Sequence, residues 1–283
     1  TYAFESPKVF DKLLIPTDSD LRKTVVISNP LGEDFSVMRT QPVNAILNAV
    51  AFNYNHRAAS CKLYDLSNIY LPKSLPLTEL PDEREQLSLC AYGSDVDFYS
   101  MKGVVIESLM QLGLRKDAEF NPVCERPYLH PGRKAEVVYE GKTVGYLGEI
   151  HPDVCVNYGF KENARVYIAV LDVPALLEFA DFDRKYTGIA RFPAVTRDIA
   201  MVVPKSVLAG DIEKILKQRG GKLLESIKLF DIYEGEQVEK GHKSMAYSLA
   251  FRASDKTLTD DDVNAVMKKI LNGLASIGAE LRA

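Results

Sequence analysis

The chain has 283 residues, of which 46% are hydrophobic and 26% are charged, a balance that is typical of a soluble globular protein with about two domains. No apolar run reaches the ~18 residues of a membrane span, and the N-terminus has no signal-peptide pattern. The four cysteines and four histidines are scattered and form no C-x-x-C pair, so we predict reduced thiols in a cytoplasmic protein, with neither a metal site nor a disulfide framework.

Charge is distributed unevenly along the chain. Residues 1–189 carry 20 Lys and Arg against 26 Asp and Glu, whereas residues 190–283 carry 15 against 13. The C-terminal part, at +2, is therefore the better candidate for a surface that faces a polyanion, although it lacks the dense basic patch of a non-specific nucleic-acid binder. Because the chain starts at Thr1 and not at a methionine, we expect it to be a fragment.

The N-terminal part, to about Glu178, alternates short helices and strands. A short helix is predicted after Ser6-Pro7, Pro42 opens a second, and Gly113 closes a third that starts near Lys102. Strands outnumber helices and the connections are short, which predicts a mainly antiparallel sheet with helices packed on it. The predicted strands cover residues 24–28, 63–71, 87–92, 135–139, 143–150 and 166–173.

Glycine-rich and Pro/Gly-rich stretches in this part could carry chemistry. Gly141, Gly145 and Gly148 have the wrong spacing for a dinucleotide or P-loop fingerprint, so a structural role is favoured. Residues 128–133 (YLHPGR) place His130 and Arg133 in a loop. That loop can clamp a phosphate or carboxylate, or it can be a rigid turn whose arginine anchors a neighbouring carbonyl, and the second interpretation is favoured.

A second candidate is the pair Glu149 and His151, two residues apart on one predicted strand face. The pair suits acid–base chemistry, but a structural strand end is the favoured alternative. No Ser/His/Asp triad or metal cluster can be assembled from local spacing.

The C-terminal part follows a predicted linker at residues 182–188. Its predicted elements are a strand ended by Pro204, a helix at 209–219, a hairpin spanning 223–252, a helix that starts after the N-cap Thr259, and a last strand at 279–282. This βαββαβ order is that of the ferredoxin-like split unit, in which both helices cover one sheet face.

Strand alternation predicts which residues lie on the uncovered face, because side chains change sides with a period of two. On the first strand Ala200 lies opposite to the core residues, and on the third Ser244 does. In the second strand Phe230 and Ile232 are predicted to point to the core and Tyr233 outward. Small residues beside an aromatic ring suit the stacking of a nucleic-acid base. In the alternatives, Tyr233 only covers the hairpin end, or the face pairs with another domain.

Several motifs together resemble one family. In the C-terminal part these are residues 191–200 (RFPAVTRDIA), 229–235 (LFDIYEG) and 241–244 (GHKS). They are similar to the ferredoxin-fold anticodon-binding domain that closes the β subunit of bacterial phenylalanyl-tRNA synthetase. Further motifs resemble the catalytic-like domain of that subunit: residues 28–31 (SNPL), 38–40 (MRT), 102–103 (KG), 129–133 (LHPGR) and 148–152 (GEIHP).

The resemblance implies an α+β chain: a class II synthetase-like antiparallel sheet with helices over residues 1–185, then a ferredoxin-like domain over residues 186–283. It implies a ligase that is an (αβ)2 heterotetramer and joins phenylalanine to tRNA(Phe) with ATP and Mg²⁺. The α subunit does this chemistry, so this chain is expected to hold no catalytic residue, cofactor or metal. The segment 145–149 (GYLGE) lacks the arginine that the family's chemistry needs in its third motif, which agrees with the expected lack of catalytic residues.

Carried over by position, the family's anticodon contacts fall on Tyr233, which stacks on a base, and on Ser244 and Ala200. Arg197, Lys243 and Arg252 are predicted to supply positive charge nearby. Two alternatives remain open from the residues alone. One is a self-sufficient small-molecule enzyme around Arg133, Glu149 and His151, and the other is a purely structural module that docks its sheet on another protein.

Overall fold

The computed structural model describes residues 1–184, 186, 188–235 and 238–282. It divides into two compact units, Thr1–Arg184 and residues 185–283. Within these described ranges no helix combines the length and the apolarity needed to cross a membrane.

The N-terminal unit is built on a six-stranded sheet in the order β3-β4-β8-β7-β6-β5, with every neighbouring pair antiparallel. The predicted antiparallel sheet with helices is therefore confirmed. The elements of this unit are β1 (Phe4–Glu5), α1 (Val9–Lys12), β2 (Val37–Met38), α2 (Val43–Asn55), β3 (Cys61–Leu71), β4 (Asp82–Tyr92), α3 (Phe98–Gln111), β5 (Glu119–Asn121), β6 (Leu129–Tyr139), β7 (Lys142–Ile150), α4 (Pro152–Asn157), β8 (Tyr167–Asp172) and α5 (Val173–Leu177).

Both faces of the middle strands of this sheet are buried. Along β8, Ile168 and Val170 belong to a core shared with α2, while Tyr167, Ala169 and Leu171 belong to a second core shared with α3. A strand whose alternate side chains enter two cores reads as a continuous apolar run, as this one does.

Several predicted elements differ from the structure, a helix start and a strand among them. Helix α3 starts at Phe98, four residues before the predicted start, because Asp97 and Ser100 form a capping box in which the Asp97 carboxylate accepts from the Ser100 backbone N–H at 2.6 Å. The predicted strand at 24–28 is wrong: only Val26 forms a β-bridge, with Val37, and its side chain is 72% exposed. A β-branched run with no apolar face to bury has little reason to extend a sheet.

The predicted loop around His130 and Arg133 lies inside β6. Leu129 pairs with Ile150 and Lys134 pairs with Gly148, so the register slips and β6 holds extra residues that bulge out of the sheet.

The C-terminal unit has the ferredoxin-like βαββαβ order, which confirms the prediction. Its elements are β9 (Val195–Pro204), α6 (Ala209–Gly220), β10 (Leu224–Tyr233), β11 (His242–Phe251), α7 (Asp260–Ala275) and β12 (Glu280–Leu281). The antiparallel sheet has the order β10-β11-β9-β12. Helix α7 begins where predicted, because the Thr259 hydroxyl accepts from the Asp262 backbone N–H at 3.3 Å.

Helices α6 and α7 cover one face of this sheet. Ile199, Met201 and Val203 of β9 pack against Ile212 of α6 and Ile270 of α7 in a single core. The opposite face has no covering element among the residues of this unit that the structure describes.

Strand β10 departs from its predicted alternation. Leu229 pairs with Tyr247 and Asp231 with Ala246, so Phe230 is the extra residue of a bulge. The prediction that Phe230 points to the core is wrong, since Leu229 takes that side and Phe230 is 53% exposed. Ile232 does face the helix side, opposite Met245, but remains 48% exposed because β10 is an edge strand.

Candidate nucleic-acid interface

The uncovered face of the C-terminal sheet, which we call the open face, is organised in rows that cross the strands. One row contains Tyr233, Ser244, Val202 and Glu280, because each is the antiparallel partner of the next. Directly paired residues of antiparallel strands share a sheet face. The row therefore places the tyrosine, the serine and the valine on one side, opposite to the helices.

The adjoining row brings in Ala200. Asp231 pairs with Ala246, Ala246 pairs with Ala200, and the Arg282 backbone N–H donates to the Ala200 carbonyl at 2.9 Å. Ala200, Ser244 and Tyr233 thus lie in two neighbouring rows of one face. The side chains at the centre of that face are small, although Ala246 is only 8% exposed.

The Tyr233 ring packs closely against Gly235. The side chain is 37% exposed, and a Cβ added at Gly235 would lie 2.3 Å from the Tyr233 hydroxyl oxygen and 2.5 Å from Cζ. No side chain fits at position 235 while the ring keeps this orientation. The ring thus lies against Gly235 and stays partly exposed.

Arg282 lies across the open face toward the tyrosine. Its guanidinium carbon is 5.8 Å from the centre of the Tyr233 ring, and its Nη1 donates to the Ser244 hydroxyl at 3.4 Å. Ser244 is only 4% exposed, so its hydroxyl is not bare as predicted. A base that reaches Ser244 must displace this arginine or stack with it.

The three predicted charged residues do not join this group. Arg197 pairs with Leu249 and so faces the helix side, where its guanidinium forms an ion pair with Asp260 at the start of α7. Lys243 pairs with Val203, also on the helix side, and its ammonium donates to the Lys205 carbonyl at 3.4 Å. The prediction that both flank the open face is corrected, because their odd-numbered positions share the parity of the core residues.

Arg252 lies on the side of the open face but far from Tyr233. It is eight positions beyond Ser244 along the strand direction, which is roughly 26 Å at the usual rise. Its Nε donates to the Glu225 carboxylate at 2.9 Å and its Nη1 to the Phe192 carbonyl. Arg252 therefore ties the far end of the sheet to the segment that precedes β9.

Two residues that the sequence reasoning did not select belong to the site. Asp231 is exposed and stands one row from Tyr233, and Arg282 makes the contacts described above. Strand alternation identifies Asp231, because it lies two positions before Tyr233 and so shares its side of the strand. The position of Arg282 follows only from the register of β12. Glu280 pairs with Val202, which puts Arg282 level with Ala200.

Arg133, Glu149 and His151, the centre of the alternative enzyme hypothesis, serve structural purposes. Arg133 Nη1 donates to both carboxylate oxygens of Glu149, at 3.0 and 3.1 Å, and Glu149 is 4% exposed. His151 is the N-cap of α4, where its Nδ1 accepts from the Asp153 backbone N–H at 3.2 Å. An imidazole occupied in capping and a carboxylate bound by arginine form no acid–base pair.

Within the described ranges, no group of three or more His, Cys, Asp or Glu side chains is arranged to hold a metal ion. The four cysteines are buried and unpaired.

Comparison with known proteins agrees with the motifs. The model of the phenylalanyl tRNA synthetase beta chain CLM domain matches residues 1–173, and that of the ferredoxin-fold anticodon binding domain matches residues 190–282. The chain belongs to the phenylalanyl-tRNA synthetase beta-chain family. The resemblance drawn from the motifs is confirmed.

The relatives carry the name phenylalanine–tRNA ligase beta subunit. The chain is 44% identical to the protein of Clostridium acetobutylicum over 99% of its own length, and 43% identical to that of Clostridium tetani over 100%. It is 37% identical to that of Symbiobacterium thermophilum. It spans 35% of the length of each of the two Clostridium proteins, so it corresponds to about a third of such a subunit.

Proposed function

We propose that this chain is the C-terminal portion of the β subunit of a phenylalanine–tRNA ligase, and that its open face binds a base of the tRNA(Phe) anticodon. The observation that carries the proposal is the joint placement of Tyr233, Ser244 and Ala200 on the uncovered side of the ferredoxin-like sheet. The match of residues 190–282 to an anticodon-binding domain supports it.

In this proposal each residue has a physical task. The Tyr233 ring offers a π face to the base, a contact worth ~1–3 kcal/mol per stacked base. Ala200 and Ala246 keep the surface low beside it, and Arg282 supplies a guanidinium that can stack on the base or reach its phosphate. The exposed Asp231 carboxylate accepts hydrogen bonds only, so it favours a base that presents N–H groups on its edge.

The N-terminal unit is proposed to serve assembly with the catalytic α subunit in an (αβ)2 heterotetramer in the cytoplasm. The ligase reaction, with its ATP and Mg²⁺, is assigned to α and not to this chain. Without α the chain is therefore expected to form no phenylalanyl-tRNA, which a turnover assay with and without α checks.

Binding of a fluorescent tRNA(Phe) anticodon stem-loop tests the open face. Tyr233→Ala is expected to lower the affinity about tenfold or more, because the stacking surface is lost, whereas Tyr233→Phe keeps the ring and most of the affinity. Tyr99→Ala is the matched control, since Tyr99 is 72% exposed in the other unit. An unchanged affinity of a folded Tyr233→Ala protein contradicts the proposal and favours a protein-docking role for this face.

A further inference from the structure

A cleft of about 810 Å³ opens in the N-terminal unit, apart from the open face. Clefts of roughly 300–1,000 Å³ are of the size that holds small molecules. Its walls come from residues 19–21, 40–42 and 125–129 and from strands β3, β4, β6 and β7. Tyr128 and Tyr146 line it and share a hydrogen bond of 2.9 Å between their hydroxyl groups.

Arg126 is the distinctive side chain of this cleft. Its guanidinium carbon lies 4.8 Å from the centre of the Tyr146 ring. The guanidinium has five N–H donors. Among the described residues one of them makes a hydrogen bond, from Nη1 to the Glu125 carbonyl at 3.3 Å. Among the described residues no carboxylate lies within 4.0 Å of this guanidinium. Glu136 attracts the Arg126 charge from farther away. Its carboxylate also accepts a hydrogen bond from the Thr143 hydroxyl at 3.4 Å.

The other charges that line the cleft are mostly neutralised. Arg84 is paired with Asp82 at 3.5 Å and with Asp172 at 3.3 Å, and Asp20 is paired with Lys23 at 2.6 Å.

Lys134 also lines the cleft and makes no ion pair with any described residue. Of the two carboxylates that line the cleft, Asp20 is paired with Lys23, so the exposed Glu125 is the one left to oppose Lys134 and Arg126. Because the cleft has two cations without an ion pair and one solvated carboxylate, its electrostatic potential favours an anion.

We propose that this cleft binds a small organic oxyanion, a phosphate ester or a carboxylate, through Arg126. The planar guanidinium fork matches both groups with two parallel hydrogen bonds. Stacking on Tyr146 orients the fork before the ligand arrives, so less side-chain freedom is lost on binding. Lys134 adds a point charge to the same anion. No bond is made or broken.

Isothermal titration calorimetry of the chain with adenosine monophosphate, inorganic pyrophosphate and benzoate tests this site. We expect saturable binding of at least one probe, with Arg126→Gln weakening it about tenfold or more, because charge-assisted hydrogen bonds are lost. Arg126→Lys keeps the charge but not the fork and should fall in between. Arg57→Gln is the matched control: the same charge change at an exposed arginine outside the cleft.

The outcomes separate cleanly. Tighter binding of the two phosphate probes assigns a phosphate ligand, and tighter binding of benzoate assigns a carboxylate. Failure of all three probes to bind at millimolar concentration overturns the proposal. So does binding that Arg126→Gln and Lys134→Gln leave unchanged, with thermal unfolding confirming that both variants are folded.

Discussion

The two sheets of this molecule differ in how many of their faces are buried. In the N-terminal unit the central strand β8 sends alternate side chains into two cores, and Ile168 and Leu171 are both fully buried. In the C-terminal unit β9 sends only its odd-numbered residues, such as Met201, into a core, while Ala200 and Val202 face the open side.

This difference shows where to look for a ligand site. In the doubly covered sheet a buried charge is matched internally, as Glu149 is by Arg133, so the polar group is accounted for by the fold. On the open face nothing in folding requires a tyrosine beside an alanine and a serine. The placement of Tyr233 is therefore more informative about function than that of the buried charged residues of the larger sheet.

Alanine substitutions along the two strands test the comparison most strongly. Ile168→Ala and Leu171→Ala should each lower the free energy of unfolding by about 3 kcal/mol, although they face opposite sides of β8. In β9, Met201→Ala should cost about as much, whereas Val202→Ala should cost less than about 1 kcal/mol. Denaturant unfolding measures all four. Equal costs for the two β9 variants would show that the open face is covered.

The buried Glu5 gives the N-terminal unit a pH dependence of similar size. Burial raises the pKa of Glu5 from 4.5 to about 7, against hydrogen bonds from Asn44 and Gln41 that act to lower it. Its contribution to stability is therefore complete below pH 4.5 and is lost as the pH rises to about 7. The loss amounts to about 3 kcal/mol.

Glu5→Gln should remove this part of the pH dependence, because the amide stays neutral. The comparison is of the free energy of unfolding at acid and neutral pH for both proteins. The same slope in the variant would assign the effect to other groups.

Substitution of Gly235 tests the orientation of the Tyr233 ring while the tyrosine itself is kept. Gly235→Ala places a Cβ 2.3 Å from the Tyr233 hydroxyl oxygen, so the ring must turn away. We expect the affinity for the anticodon stem-loop to fall about tenfold while the unit stays folded. Gly210→Ala is the control, since a Cβ there meets nothing within 4 Å. Full affinity with Gly235→Ala would mean that the orientation of the ring does not matter.

The smallest expected effect concerns the core behind the open face. Tyr247 is fully buried, its hydroxyl has no hydrogen-bond partner among the described residues, and burial raises its pKa. Tyr247→Phe should stabilise the C-terminal unit by about 1 kcal/mol, because the unsatisfied hydroxyl is removed. Tyr128→Phe should instead destabilise the N-terminal unit, since its hydroxyl bonds to Tyr146. Thermal unfolding distinguishes the two signs, and a loss of stability in Tyr247→Phe would reveal a hidden partner.

Much of the C-terminal unit could be predicted from the sequence because its signals are local. Alternation along β9 and β11 gave the two faces, and the cap at Thr259 gave the start of α7. The bulge at Phe230 could not be predicted, because it depends on how β10 pairs with β11 and leaves the apolar pattern of the segment unchanged.

The charged residues of the site were harder to predict. Arg197 and Lys243 are near Ala200 and Ser244 in the sequence, but their parity puts them on the helix side. Arg282 was missed because its position follows from the pairing of β12 with β9, a long-range register that no local pattern contains.

The central claim is that a nucleotide lies on the open face beside Tyr233. Methyl carbon chemical shifts measured with and without the anticodon stem-loop test it most directly, because the two sheet faces carry different methyl groups. The account predicts large shifts for Ala200 and Ala246 on the open face and small ones for Met201 and Met245 on the helix side. Shifts confined to the helix side, or absent from both faces while the RNA is bound, would contradict it.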